Sequence, residues 1–158
     1  MTVFHGTNAD FDKVSLDFAK EKRDFGRGFY TTIIREQAVE WAKTICGRYK
    51  TKTAYLYEFE FSLTGLTVKT FEGISKEWLD FIIENRIRGG TQHPFDIVTG
   101  PVADDKTMDT IGFFLAGIYS VEEALRRLEY MKPNNQFSLH TEKAVSNLKI
   151  IGRYKWSV

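Results

Sequence analysis

The segment that most constrains the fold of this chain is Phe-Gly-Arg-Gly-Phe-Tyr-Thr-Thr at positions 25–32. Gly26 and Gly28 lie one residue apart, and glycine lets a backbone turn sharply or approach another group closely. The run that begins at Phe29 is aromatic and β-branched, a composition that favours a strand. We therefore expect a loop that delivers Tyr30 to the start of a strand, where its ring can form one wall of a cleft.

Helical periodicity is clearest just after that strand. Apolar residues recur at spacings of three and four, as on one face of an amphipathic helix, at Ala38, Trp41, Ala42, Ile45, Cys46 and Tyr49. Three more helices are predicted where a capping or acidic residue precedes apolar residues at helical spacing. They follow Ser75, the pair at 104–105, and Ser120 with its capping-box partner Glu123. Gly89-Gly90 ends the first of them.

Alternating side chains predict the longest strand, residues 53–61, with Tyr55, Tyr57, Phe59 and Phe61 on one face. Shorter strands are expected at 2–5, 66–71, 95–98, 136–140 and 148–156, a turn at 132–135, and a helical turn within 141–147. The polar stretch 8–17 is expected to dock on the core through Phe11, Val14 and Leu16. Strands spread along the chain with helices between them indicate an α+β fold.

Composition limits the classes of function. With 158 residues, of which 42% are hydrophobic and 15% aromatic, the chain is expected to form a single domain, 1–158. Basic and acidic residues number 22 and 21, so we expect no broad attraction to nucleic acid or anionic membrane. No signal peptide and no run of about 18 apolar residues is visible, which predicts a cytoplasmic protein without membrane contact.

Cysteine and histidine positions argue against a metal centre. The single cysteine, Cys46, cannot form an internal disulfide, and we expect it to pack as a small apolar residue. His5, His93 and His140 are far apart and lack the spacing of a zinc site, so no metal is predicted. His93 and His140 are interpreted as structural residues.

The glycine segment fits neither of two common nucleotide-binding patterns. It is not Gly-x-Gly-x-x-Gly before a helix, and no Gly-Lys-Ser/Thr follows as in a P-loop. A second segment, His5-Gly6-Thr7, ends the first predicted strand. Together with Tyr30 it suggests a pocket with an imidazole, a phenol ring and backbone donors freed by small residues. Such a pocket suits a flat heteroaromatic ligand that carries a ribose.

Four segments resemble the ADP-ribosyltransferase superfamily, in the His-Tyr-Glu branch shared by poly-ADP-ribose polymerases and diphtheria-like toxins. These segments are residues 4–7, 24–32, 95–105 and 135–141. More closely, the whole chain is similar to a bacterial family of unknown-function proteins in that superfamily. The resemblance implies split mixed and antiparallel β-sheets with inserted helices, and NAD as co-substrate. It also implies toxin-type mono-ADP-ribosyltransferase activity on a protein or nucleic acid, and a small antitoxin as a partner.

Residue by residue, the resemblance implies an NAD cleft between His5 and Tyr30. His5 would hydrogen-bond a ribose hydroxyl, the backbone of Gly6 would hold the nicotinamide carboxamide, and Tyr30 would stack on the nicotinamide ring. Phe25 or Phe29 would help to wall the pocket. The other residues implied to contact NAD are Thr7, Arg27, Gly28 and Thr31. The Arg27 side chain is either a pyrophosphate contact or a solvated surface group.

Gln136 stands at the third position, where this branch often has a glutamate. Cleavage of the nicotinamide–ribose bond develops positive charge on the ribose; a glutamine can hold the 2′-hydroxyl but brings no charge and no general base. Polymer formation is therefore not expected. Candidate sources of negative charge are Glu58, Glu60, Asp104, Asp105 and Glu142, although the two aspartates also suit a helix N-terminus. Two alternatives stay open: hydrolysis of NAD, and a non-catalytic module that binds NAD, ADP-ribose or a partner.

Overall fold

The computed structural model describes residues 1–129 and 135–158. In these residues the strands of two β-sheets are interspersed along the chain with five α-helices. The strands are β1 Thr2–Thr7, β2 Phe29–Thr31, β3 Thr53–Phe61, β4 Val68–Thr70, β5 Ile97–Pro101, β6 Asn135–Leu139 and β7 Leu148–Ser157. The helices are α1 Arg35–Tyr49, α2 Lys76–Arg88, α3 Asp105–Leu115, α4 Val121–Leu128 and α5 Glu142–Ser146, with a short 3-10 helix at Leu16–Phe18.

The first sheet, sheet A, is antiparallel with strand order β1-β3-β7. On its inner face Tyr57 of β3 pairs with His5 of β1. Tyr57 belongs to a first core cluster, which also holds Val3 and Phe59 of this sheet. On its outer face α1 packs over Gly6 so closely that a Cβ there would lie 1.8 Å from the carbonyl oxygen of Ala38. A glycine at position 6 therefore sets the depth at which α1 lies on the sheet.

The second sheet, sheet B, has strand order β2-β6-β5-β4, and only the β4–β5 pair is parallel. Its inner face contributes Ile97 and Leu139 to the core that it shares with sheet A. Its outer face, through Val98, packs on Trp78 of α2 and on Phe25 in a second core cluster. Sheet B is thus covered on both faces, by sheet A on one side and by helices on the other.

A single β-bridge joins the two sheets in the described part of the chain. Phe4 on the edge of sheet A donates its N–H to the Thr32 carbonyl at 2.7 Å and accepts from the Thr32 N–H at 2.9 Å. No further ladder pairing continues from this bridge along β1 and β2 in those residues. The two strands therefore part just beyond it, at the level of Gly6 and Tyr30.

The α+β class is confirmed, and so are several predicted boundaries. The strand at 53–61 has its predicted limits, and Ser75, Asp104 and Ser120 cap the helices that follow them. Val14 and Leu16 are buried, as expected for the docked loop. The predicted turn at 132–135 lies outside the described residues except for Asn135, which opens β6. None of the described helices combines the length and apolar character needed to cross a bilayer.

The predicted apolar face of α1 is wrong at its two largest residues. Trp41 is 41% exposed and Tyr49 is 51% exposed, whereas the buried stripe holds Ala38, Ala42, Ile45 and Cys46. Since α1 lies so close to Gly6, only a narrow stripe of mostly small side chains fits beneath it. Two strands are also shorter or later than predicted: residues 68–70 instead of 66–71, and 97–101 instead of 95–98.

Candidate functional site

His5 lies at the edge of sheet A, where β1 leaves β2. Its imidazole packs on the Phe29 ring, with a centroid distance of 4.3 Å, and Nδ1 lies 2.7 Å from the Tyr30 carbonyl oxygen. A carbonyl only accepts, so Nδ1 carries the proton and Nε2 keeps its lone pair. Desolvation lowers the pKa of His5 to about 4, which leaves the ring neutral at pH 7. Nε2 has no hydrogen-bond partner among the described residues.

Tyr30 is held by the loop that precedes it. Its hydroxyl donates to the Gly26 carbonyl at 2.7 Å and accepts from the Phe25 N–H at 3.0 Å. Desolvation, followed by the nearby Asp24 charge, raises the pKa of Tyr30, so the phenol stays protonated. Tyr30 is half-buried as a residue, and the two hydrogen bonds of its hydroxyl fix the orientation of its ring.

The imidazole and the phenol do not face each other. Tyr30 pairs with Ser138 and packs in the second cluster, whereas Phe29, its neighbour on β2, faces the first. Successive residues of a strand point to opposite faces. His5 packs on Phe29, so its ring lies on the face of β2 opposite to that of Tyr30. The expectation of two facing rings is therefore wrong, although the two residues are bonded through the Tyr30 carbonyl.

Gly6 presents unpaired backbone groups at the opening between β1 and β2. The N–H and C=O of Phe4 point away from β3 towards Thr32, and these groups alternate in direction along an edge strand. Those of Gly6 therefore also point towards β2, at the level of Tyr30. Gly6 is buried, and no described residue hydrogen-bonds its outward N–H or C=O. Buried backbone groups are nearly always paired, so this donor–acceptor pair is available to bond water or a ligand.

Gln136 is the second residue of β6 and lies on the same face of sheet B as Tyr30. Its Nε2 donates to Oδ2 of Asp24 at 2.9 Å, which fixes the orientation of the amide, because only the nitrogen can donate. The remaining oxygen, Oε1, has no hydrogen-bond partner in the described residues. Asp24 is 5% exposed and also accepts from Arg86 Nε at 2.8 Å and from the Ala103 N–H at 2.9 Å.

Asp24 is the residue that sequence reasoning missed. It belongs to the charged stretch before the glycine loop, and nothing in its neighbours along the chain reveals the partners that fold onto it. Its carboxylate joins the loop before β2 to α2, to the segment after β5 and to β6. A single aspartate directly before a glycine-rich loop is the only signal the sequence offers.

Two histidines hold the glycine loop from the side of sheet B. His140 Nδ1 donates to the Arg27 carbonyl at 2.9 Å, and His93 Nε2 donates to the Phe25 carbonyl at 2.8 Å. Desolvation lowers the pKa of His140 to about 4 and also lowers that of His93. A Cβ at Gly28 would lie 2.6 Å from His140 Nδ1, so this glycine permits the close approach. These contacts describe structural roles for both histidines.

The Arg27 guanidinium contacts neighbouring residues of the same chain. Its Nη2 donates to the Leu16 carbonyl at 2.5 Å, and its Nε lies 3.5 Å from a carboxylate oxygen of Glu21. These contacts pin the glycine loop to the 3-10 helix. The two threonines implied to contact NAD are also engaged: Thr7 Oγ1 accepts from the Ala9 N–H, and Thr31 Oγ1 donates to the Phe137 carbonyl.

The five acids considered as sources of negative charge make no direct bond to His5, Tyr30 or Gln136 in the described chain. Glu58 accepts a hydrogen bond from Tyr154 on β7, and Asp104 caps α3. Glu60 and Asp105 are exposed. Glu142 lines a cavity of about 310 Å³ between α5, β7 and the loop at 12–14. No hydrogen bond or ion pair joins any of the five to those three residues in the described chain.

Metal-binding geometry is not found in the residues that the structure describes, where no group of three or more His, Cys, Asp or Glu side chains could hold an ion. Cys46 is buried, and its thiol contacts the Thr53 carbonyl at 3.3 Å. The opening between β1 and β2 therefore offers hydrogen-bond donors, acceptors and a fixed aromatic ring as its chemistry.

Comparison with known proteins gives one match. A family model described as "Protein of unknown function (DUF3990)" matches residues 1–150. No curated protein matches the chain, and no solved structure matches it.

Proposed function

We propose a function for this chain, which belongs to the DUF3990 family of proteins of unknown function: it is an NAD-dependent mono-ADP-ribosyltransferase of the toxin type. The observation that carries the proposal is the opening between β1 and β2. There Gly6 is buried with an outward N–H and C=O that no described residue pairs. A primary carboxamide such as that of nicotinamide has one acceptor and two donor hydrogens, which complement such a pair.

The aromatic surface next to this opening supports the same ligand. Tyr30 lies at the level of Gly6, and its hydroxyl is anchored at both its donor and its acceptor side. A ring held in this way needs no reordering when a planar pyridinium stacks on it. Such stacking contributes roughly 1 kcal/mol beyond the burial of area.

A neutral acceptor for the ribose is available on the face of sheet B that holds Tyr30. Gln136 Oε1 keeps a free lone pair there, and ribose hydroxyls are donors. The His5 ring lies on the opposite face of β2, so its Nε2 is not assigned to the same hydroxyls. Gripping the leaving ring and fixing the ribose lowers the barrier to breaking the bond between them. The oriented Gln136 dipole adds favourable electrostatics where positive charge develops, though less than a carboxylate would. The transfer reaction therefore suits an acceptor that is already a good nucleophile.

One observation favours a second candidate, a non-catalytic module that binds NAD or ADP-ribose. Gln136 is hydrogen-bonded to the Asp24 carboxylate, and the charge of that carboxylate is offset by Arg86 in a partly buried ion pair. Without a free carboxylate near the ribose, binding without turnover is the simpler outcome. Hydrolysis of NAD differs from transfer only in using water as the acceptor.

One experiment separates these functions. The protein is incubated with NAD labelled in its adenylate half, with and without a bacterial cell extract, and NAD binding is measured by calorimetry. Label on a macromolecule together with released nicotinamide supports transfer; free ADP-ribose indicates hydrolysis; bound NAD recovered intact indicates the binding module. Tyr30→Leu should weaken binding, while Tyr154→Leu, an exposed tyrosine on β7, should not. Absence of NAD binding to the folded wild-type protein would overturn the proposal.

A further inference from the structure

A group of cations without carboxylate partners lies in one region of the surface, and an equal number are spread over the rest of the described chain. Every arginine and lysine on α2 and α4 forms an ion pair, with an acid of the same helix or with Asp24. Six cations around the loop before β2 and the end of α1 form none within the described chain: Lys20, Lys22, Arg23, Arg48, Lys50 and Lys52. The overall charge of +1 hides this local excess of positive charge.

Two exposed aromatic rings lie among these cations. Trp41 and Tyr49 are eight residues apart on α1, which places them about two turns, or roughly 12 Å, apart on one side of the helix. They are 41% and 51% exposed. The Arg48 guanidinium lies 5.8 Å from the Trp41 ring centroid, and the Lys20 ammonium lies 4.4 Å from that of Tyr49 while donating to its hydroxyl at 2.5 Å.

Arg23 connects this surface to the opening between the sheets. The hydrogen bond from Lys20, followed by its positive charge, lowers the pKa of Tyr49, and Arg23 and Arg48 act in the same direction. Arg23 also acts on the pKa of Tyr30. Arg23 also lies two residues before Phe25, whose N–H donates to the Tyr30 hydroxyl, so the chain itself links this surface to the opening. The helix α1 in turn packs on Gly6 through Ala38.

We propose that the surface formed by Lys20, Arg23, Trp41, Arg48 and Tyr49 binds single-stranded nucleic acid. Flat rings accept unstacked bases, and the interleaved cations attract the phosphates between them. An acidic peptide would match the charge, but it would make no use of two half-exposed rings. A duplex would keep its bases stacked on each other and away from the rings. Single strands are the ligand class that engages both features.

The position of this surface gives the bound single-stranded nucleic acid a role that rests on the proposed function. The nucleic acid is the acceptor of ADP-ribose. A nucleophilic nitrogen or hydroxyl of the strand forms a bond to C1′ of the ribose as the C1′–N bond to nicotinamide breaks. Nicotinamide leaves with the electron pair of that bond and becomes neutral, and the proton of the acceptor passes to solvent. No oxidant or reductant is needed.

The test measures binding without NAD. Fluorescence anisotropy follows a labelled oligonucleotide of about 12 nucleotides, as DNA and as RNA, with the wild-type protein at low salt. We expect saturable binding that weakens with salt, with a slope that corresponds to two or three phosphates. Arg48→Glu and Tyr49→Ala, both at exposed positions of α1, should each weaken binding about tenfold. Matched controls on β7, Lys149→Glu and Tyr154→Ala, should leave it unchanged.

Three results would overturn this proposal. They are no binding at about 100 µM protein, equal binding by the α1 variants and the wild type, and binding of a blunt duplex as tight as that of the strand. Tighter binding of an acidic peptide than of the strand would also count against it. Adding NAD then separates the two proposals: a strand that binds but receives no label leaves the surface assignment standing and removes only the role of acceptor.

Discussion

Gln136 and Asp24 form a hydrogen bond of 2.9 Å between an amide and a carboxylate, which ties β6 to the loop in front of β2. This bond explains why a glutamate is disfavoured at position 136. Two carboxylates at this distance repel each other, and one of them must bind a proton.

Gln136→Glu is therefore expected to destabilise the fold at pH 7, by about 1–3 kcal/mol in urea unfolding. The loss should shrink towards pH 5 as the new side chain is protonated. Gln136→Met, which removes the hydrogen bond without adding charge, is the control, and it should show no such pH dependence. A glutamate variant as stable as wild type at pH 7 would mean that Asp24 does not hold position 136.

Gly6→Ala should be the most damaging glycine substitution on sheet A. The added methyl would lie 1.8 Å from the Ala38 carbonyl oxygen, which is backbone and cannot swing aside. We expect a loss of about 1–3 kcal/mol as α1 is pushed outwards. Gly47→Ala, within α1 itself, is the matched control. Nothing lies within 4 Å of its added methyl, and alanine should stabilise α1 by about 0.5–1 kcal/mol. Equal effects of the two changes in thermal unfolding would contradict this account.

Tyr30→Phe separates the ring from its hydroxyl. Loss of the bonds to Gly26 and Phe25 should cost about 0.5–1.5 kcal/mol of stability, because both partners belong to the loop that presents the ring. The aromatic surface remains, so NAD affinity, once detected, should fall far less than in Tyr30→Leu. Calorimetry on both folded variants is the measurement, and similar affinities for the two would show that stacking is not used.

Stability should fall as the pH drops from 6.5 towards 4.5. Burial lowers the folded-state pKa of His5 and His140 to about 4 and also lowers that of His93, so the unfolded chain binds more protons across this window. The free energy of unfolding can change by at most about 1.4 kcal/mol per pH unit for each histidine. Solvent screening of these half-buried rings keeps the actual slope below that limit.

Urea unfolding across this pH range measures the slope. His140→Gln, whose side chain does not titrate, should make it shallower. The slope should be small above pH 7, where all three histidines are neutral in both states. A stability that rises on acidification would contradict the assignment of neutral buried rings.

Local chemistry made much of the fold predictable. Ser75, Asp104 and Ser120 each cap the helix that follows because a side-chain oxygen before an apolar run is a signal within a few residues. The limits of β3 follow from alternation in the same way. Which apolar residues of α1 are buried was not predictable, since that depends on the contact between Ala38 and Gly6, far apart in sequence.

The sequence predicts a set of candidate residues but not their arrangement. Gly6, Tyr30 and Gln136 were singled out by the segments they belong to. The opposite orientation of the His5 and Tyr30 rings depends on the register of β2 against β6, and the role of Asp24 depends on partners up to 112 residues away. Neither is encoded in a pattern of neighbours.

The lone bridge between Phe4 and Thr32 has a mechanical consequence. In the described chain it is the one β-bridge across the seam between sheets A and B. Amide hydrogens at this seam should therefore exchange with deuterium sooner than those inside either sheet. A molecule bonded both to Gly6 and to the β2–β6 side would form a second connection between the two sheets. Occupancy would then be recorded as slower exchange at the seam, which gives a way to screen for ligands of this protein without assuming any reaction.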